Sequence, residues 1–138
     1  MKLIVFDCDG TLVDSQHMIV ASMERAFAER KLVLPPREAI LSVVGLSLPL
    51  AISRLVPEMD ASAVETLTQD YKSAFADLRR DPHQREPLYP GVREMLFELG
   101  SLGNVVLGVA TGKSRRGLAA ILVREDLSHL FQTIQTAD

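Results

Sequence analysis

The sequence is poor in cysteine, in excess positive charge and in long apolar runs, and each shortage excludes something. Its one cysteine, Cys8, forms no internal disulfide, so the chain is no disulfide-held scaffold and a reducing compartment is expected. No apolar stretch reaches membrane length, and the N-terminus enters a short apolar run without the pattern of a signal peptide. These absences predict a cytoplasmic protein with no membrane partner. Fifteen Lys and Arg against 18 Asp and Glu give a net charge of −3, which argues against a general nucleic-acid binder. The three histidines, His17, His83 and His129, are scattered without metal-ligand spacing and read as surface or loop residues. What remains is 138 residues, 47% hydrophobic and 24% charged, a composition that suits a compact core.

The most informative stretch is Asp7-Cys8-Asp9-Gly10-Thr11-Leu12, directly after the apolar run Leu3-Ile4-Val5-Phe6. Two carboxylates stand where a buried strand opens into a loop, and ionised Asp is rarely buried unless paired or bound to a cation. Gly10 permits positive φ or close backbone approach, and Thr11 brings a hydroxyl that can bond a phosphate oxygen or a carboxylate. Asp-Gly is also a common turn pair, and an acidic turn after a strand is often only a solvated loop. Cys8 between the acids reads as a small buried side chain at a strand end rather than a reactive thiol.

A second element, about a hundred residues on, decides between these readings. Asn104-Val105-Val106-Leu107-Gly108-Val109-Ala110-Thr111-Gly112-Lys113-Ser114 is an apolar run ending in Thr-Gly, followed by residues that can start a helix. A hydroxyl and free backbone N–H groups at a strand's carboxyl end form a ready anion site. Gly108 to Ser114 also looks like a phosphate-binding P-loop, but three residues separate its glycines where that motif needs four. Arg115 and Arg116 read as solvated, and the role of Lys113 stays open between a phosphate contact and solvation.

Between the two motifs the periodicity is helical. Ile19, Met23, Ala26 and Phe27 mark one face within about residues 15 to 31, Pro35-Pro36 breaks the chain, and short helices are predicted near 37 to 44 and 48 to 55. Ser62-Ala63-Val64-Glu65 predicts a capping box opening a helix with the stripe Val64, Leu67, Tyr71, Phe75 and Leu78. Residues 81 to 90, with three prolines, read as a returning linker. A helix from Val92 to Leu102, the strand before Thr111, a further helix and a short strand from Thr133 to Thr136 follow. The expected fold is α/β, a partial Rossmann-like parallel sheet formed by residues 1–14 and 86–138, with an inserted all-helical cap of residues 15–85. Asp7, Asp9 and Thr111 then share the carboxyl edge of the sheet, where open α/β sheets bind ligands.

Asp7 to Leu12, the helical insertion, Tyr89-Pro90-Gly91-Val92 and Ala110-Thr111-Gly112-Lys113-Ser114 together resemble the haloacid dehalogenase-like hydrolases. The helical-cap subfamily, which includes phosphoglycolate phosphatases and β-phosphoglucomutases, is the nearest likeness, and the run from Gly112 to Leu118 looks most like the phosphoglycolate phosphatase type. The resemblance implies a Mg²⁺-dependent phosphatase of a small phosphorylated metabolite, 2-phosphoglycolate among the candidates. It casts Asp7 as nucleophile forming an aspartyl-phosphate, Asp9 as acid and base, both as metal-site residues, and Gly10, Thr111, Gly112 and Lys113 around the phosphate. The family's later lysine and acidic metal-binding cluster would lie beyond Thr136-Ala137-Asp138, so the chain is expected to be a truncated form. Losing one oriented charge stabiliser commonly costs about 2–4 kcal/mol in the transition state. A short sheet also predicts an exposed edge at the first strand, hence weak stability, aggregation or a homo-oligomer through that edge. The alternatives are an inactive phosphate- and Mg²⁺-binding module, a β-phosphoglucomutase-like phosphotransferase, or a phosphoacceptor Asp7 as in receiver domains, against which the helical insertion argues.

Overall fold

The computed structural model describes residues 1–138 and divides them into two compact units, one of residues 1–14 and 87–138, the other of residues 15–86. The first is α/β. Strand β1 (Lys2–Phe6) pairs in parallel with β2 (Val105–Ala110), and β2 with β3 (Phe131–Gln135), giving the order β1-β2-β3. Helix α5 (Val92–Gly100) precedes β2, and α6 (Arg115–Arg124) with a short 3₁₀ turn (Ser128–Leu130) joins β2 to β3. Leu107 and Val109 of β2 are buried together with Leu96, Leu118, Ile121 and Leu127, so the middle strand and its flanking helices share one apolar core.

The β1–β2 register sets Phe6 opposite Val109. The next residue on each strand is therefore Asp7 beside Ala110, which brings the two motifs to one edge. Gly108 is required by the sheet: a Cβ there would stand 2.7 Å from Thr133 Cγ2, at the point where the β2–β3 register shifts. Because Gly108 lies inside a strand, the P-loop likeness has no loop to stand on.

The second unit is all helical, with α1 (Gln16–Glu29), α2 (Arg37–Ser42), α3 (Leu48–Leu55) and α4 (Ala61–Arg79). The apolar faces read from the sequence are the buried ones: Ile19, Met23, Ala26 and Phe27 on α1, and Val64, Leu67, Tyr71, Phe75 and Leu78 on α4. Each large side chain removed from water in this way contributes about 1.5–3 kcal/mol of hydrophobic free energy before entropy is counted. Arg30 on the chain after α1 makes a two-point contact with Asp70 of α4 at 2.6 and 3.0 Å. That pairing raises the Arg30 pKa and holds the Asp70 carboxyl below its ordinary value.

Three expectations about element ends need correction. The cap of α4 is Asp60, whose carboxylate accepts from the Ala63 N–H at 2.8 Å, and Ser62 lies inside the helix rather than opening a capping box. A carboxylate at the N-cap is at least as good an acceptor as a hydroxyl and also suits the positive end of the helix dipole. Helix α5 stops at Gly100, short of Leu102, and β3 begins at Phe131, two residues before the expected Thr133, because Leu107 of β2 reaches across to pair with Phe131.

Candidate active site

The loop after β1 is tied down by its own backbone. The Cys8 carbonyl accepts from the N–H groups of Thr11, Leu12 and Val13 at 2.9 to 3.2 Å, and Val13 and Leu88 form an isolated bridge. Asp14 N–H donates to Pro87 O at 2.7 Å and Tyr89 N–H to Leu12 O at 3.0 Å, so the strand's exit and the returning chain are stitched together. Cys8 is buried in this knot, as a side chain pointing into the core should be. Flanking it, Asp7 and Asp9 are each partly accessible. One oxygen of Asp7 accepts from the Cys8 N–H at 2.7 Å, which fixes the carboxylate and leaves its other oxygen for chemistry.

Gly10 takes φ +77°, the left-handed conformation that only glycine adopts without strain. Its N–H, in a residue the resemblance places around the phosphate, donates to Val13 O at 3.0 Å. Gly10 therefore shapes the loop here, and its backbone donor is already used. The donors that face the site come instead from the loop after β2. Thr111 Oγ1 accepts from the Lys113 N–H at 3.1 Å, so its own proton is left to donate to a further acceptor. The Gly112 N–H has no partner within the protein. Ser114 caps α6, its hydroxyl accepting from Gly117 N–H at 3.1 Å. The loop is anchored from β3's end: Thr111 N–H donates to Gln135 O, Ala137 N–H to Lys113 O, and Arg115 N–H to the Asp138 carboxylate. That last contact is the chief reason the Asp138 carboxyl sits below its ordinary pKa.

The residue sequence reasoning left open is the one the tertiary structure places most informatively. Lys113 Nζ stands 3.1 Å from Asp9 Oδ1 and 3.5 Å from Oδ2, and the two side chains are only 9% and 14% exposed. No local signal announces a pair 104 residues apart in sequence. Arg115 and Arg116, by contrast, are exposed as expected. Of the histidines, His17 is hydrogen-bonded to Gln84 at 2.8 Å and His129 lies beside the Phe97 ring.

A cation fits the donors in kind. Asp7 and Asp9 offer hard oxygens, and Mg²⁺ is commonly held by one or two carboxylates plus substrate phosphate while keeping several waters. No cluster of three or more acidic, histidine or cysteine side chains surrounds the position, so the protein supplies only part of a coordination shell here. The assembled set is a constrained carboxylate, a second carboxylate paired with an ammonium, a hydroxyl, and a backbone N–H at a helix start, all on one sheet edge.

Comparison with known proteins places this edge in a family. Residues 4–138 match the family described as haloacid dehalogenase-like hydrolase. The chain is 32% identical over 139 residues to a phosphoglycolate phosphatase of Pseudomonas syringae pv. syringae, covering 99% of this chain and 51% of that protein. It is 33% identical to a phosphoglycolate phosphatase of Haemophilus influenzae, covering 94% of this chain and 60% of that one. Among solved structures, a predicted phosphoglycolate phosphatase from Haemophilus somnus superposes with a TM-score of 0.85 at 23% identity, over 99% of this chain and 63% of that chain. The chain thus spans about half the length of the curated Pseudomonas relative it matches.

Proposed function

The chain belongs to the haloacid dehalogenase-like hydrolases, and from that premise we propose that it carries the nucleophile and phosphate-binding edge of a Mg²⁺-dependent phosphatase acting on a small phosphorylated metabolite. The observation that carries this reading is the meeting of Asp7, Asp9, Thr111 and Lys113 at the ends of two adjacent parallel strands. The substrate favoured is 2-phosphoglycolate, the compound in the names of the curated relatives. The helical unit of residues 15–86 acts as the cap, and the free edge of β1 pairs with a second copy. The site of action is the cytoplasm.

In the first half-reaction an Asp7 carboxylate oxygen attacks the phosphorus in line, and the bond between phosphorus and the ester oxygen breaks with its electron pair leaving on that oxygen. Asp9, as a carboxylic acid, gives its proton to the departing alkoxide, which releases the alcohol and leaves an aspartyl-phosphate at Asp7. In the second half Asp9, now a carboxylate, takes a proton from water. The oxygen of that water attacks phosphorus, and the bond to Asp7 breaks to free phosphate and restore both carboxyl groups. Thr111 Oγ1 and the Gly112 N–H hold the non-bridging oxygens, and Lys113 adds positive charge beside them. A bound Mg²⁺, held by the Asp7 carboxylate and by Asp9, would supply charge neutralisation between carboxylate and phosphate. Hydrolysis is preferred over a mutase step because water needs no second binding position for a phosphate acceptor.

The test is phosphate release from 2-phosphoglycolate and from a generic aryl phosphate with Mg²⁺, comparing the chain with Asp7→Asn. Release that disappears in the variant supports the proposal. Equal release by both proteins overturns the nucleophile assignment. Phosphate binding without release in either protein favours a non-catalytic binding module.

A further inference from the structure

The stem of Lys113 reaches Asp9 by passing close against residue 117, where any side chain would crowd it. Gly117 lies in the first turn of α6, four residues after Lys113. A Cβ built there would stand 3.2 Å from both Cγ and Cε of Lys113 and 3.2 Å from Ser114 Oγ. The lysine stem therefore runs along the bare backbone of the turn, and its ammonium emerges over the Asp9 carboxylate, within 3.5 Å of both oxygens. Gly117 has no positive φ to explain its presence, and its N–H is already bonded to Ser114 Oγ. A glycine inside a helix is a poorer helix former than alanine, so its place here asks for a reason other than backbone geometry.

We propose that Lys113 is the positioning residue for the Asp9 carboxylate and that the side-chain vacancy at Gly117 is the slot that directs it there. The pair is partly buried, so the ammonium acts in a medium that screens it less than water does, and its hold on the carboxylate orientation is correspondingly stronger. Removing the lysine leaves a partly buried carboxylate without this counter-charge, free to turn away from the position in which it meets the leaving oxygen. Filling the slot at residue 117 has the same result by a different route, because it displaces the stem without altering either charge. The functional half of this inference rests on the phosphatase reading, whereas the slot itself is a statement about the pair.

The experiment follows the lysine ammonium groups by ¹H–¹⁵N spectroscopy in the wild-type chain, Gly117→Ala, and Asp9→Asn, the last identifying the Lys113 signal. A slowly exchanging Lys113 ammonium in the wild type that is lost or strongly shifted in Gly117→Ala, with a thermal midpoint no lower than wild type, is the expected result. A wild-type signal in Gly117→Ala overturns the slot. On the aryl phosphate, Gly117→Ala is expected to lower kcat by about tenfold or more with little change in KM, inside the range that general acid–base groups supply. Lys113→Gln should lower it comparably, Lys113→Arg less, and the double variant Gly117→Ala/Lys113→Gln no further than Lys113→Gln alone. Multiplying effects in the double variant would mean that Gly117 acts without Lys113 and would sink the proposal. Absence of release in the wild type removes the kinetic arm alone, and the ammonium spectra still decide the slot.

Discussion

The helical unit and the sheet unit each bury a full set of aliphatic side chains, yet β1 of the sheet unit leaves two large ones more than half exposed, whereas on the helices of the other unit the large side chain most in water is Leu50 of α3, at 44%. In the helical unit Met18, Phe27, Ile52 and Leu67 are all fully buried. In the sheet unit Leu107 of β2 is 1% exposed while Leu3 and Val5 of β1, equally apolar and on the strand that leads into Asp7, are 58% and 51% exposed. The difference follows from where backbone hydrogen bonds are made. A helix closes its bonds within one segment, so four helices can finish a core by packing alone. A strand satisfies only one side through each neighbour, and β1 has a neighbour only in β2. The unit that holds both motif loops is thus the one with an open sheet edge.

The largest effect that would sharpen this contrast is expected from Phe27→Ala. An aromatic truncation in a closed core costs about 3–5 kcal/mol, read by urea unfolding of the far-ultraviolet helical signal. A loss under about 1 kcal/mol would mean the helical core is less tightly packed than its burial indicates. Next comes a comparison along the sheet: Leu107→Ala should cost about 2–5 kcal/mol, whereas Leu3→Lys should change stability by less than about 0.5 kcal/mol and reduce self-association in sedimentation experiments. Similar costs at the two positions, or unaltered association, would show that β1's outer side is covered in solution. A smaller effect separates the two candidate caps of α4. Asp60→Ala should lose about 1 kcal/mol and Ser62→Ala almost nothing, and the reverse order would restore the capping box.

The smallest effect concerns Glu125, just past α6. Burial alone would raise its pKa, but hydrogen bonds and charge from Arg93 and Arg124 outweigh this and hold it below the ordinary glutamate value. Arg93 also donates to the Glu125 backbone carbonyl, which joins α5 to the end of α6. A carboxyl depressed in the folded state contributes stability above its unfolded pKa and loses it as pH falls through the folded value. Wild type should therefore lose more stability than Glu125→Gln as pH drops below the ordinary glutamate range, by about 0.5 kcal/mol or less after solvent screening. Parallel pH curves would show that the pair contributes nothing measurable.

Much of the site was legible because its parts are local. Asp7, Asp9 and Gly10 follow one apolar run and Thr111 and Gly112 another, so strand ends and loop residues can be named from neighbours in sequence. The use made of them was less legible. Gly10's N–H turns inward to Val13, a choice set by the closure of the whole loop against residues 87–89. Asp60 replaces Ser62 as a cap because several residues in that stretch could serve, and the start of the α4 stripe does not distinguish them. Gly117 carried a signal, a glycine inside a helical pattern four residues after a lysine, but its meaning needed the position of the lysine stem.

By itself, the sequence determined the order of strands and helices, the apolar faces of α1 and α4, and the identity of the acids, hydroxyl and lysine at the two strand ends. These depend on periodicity and on the preferences of neighbouring residues, which act over a few positions. Only the tertiary structure decided that Lys113 faces Asp9 and that the lysine stem lies against Gly117. Those outcomes depend on what distant segments bring within a few ångströms, and short-range pattern carries no record of that.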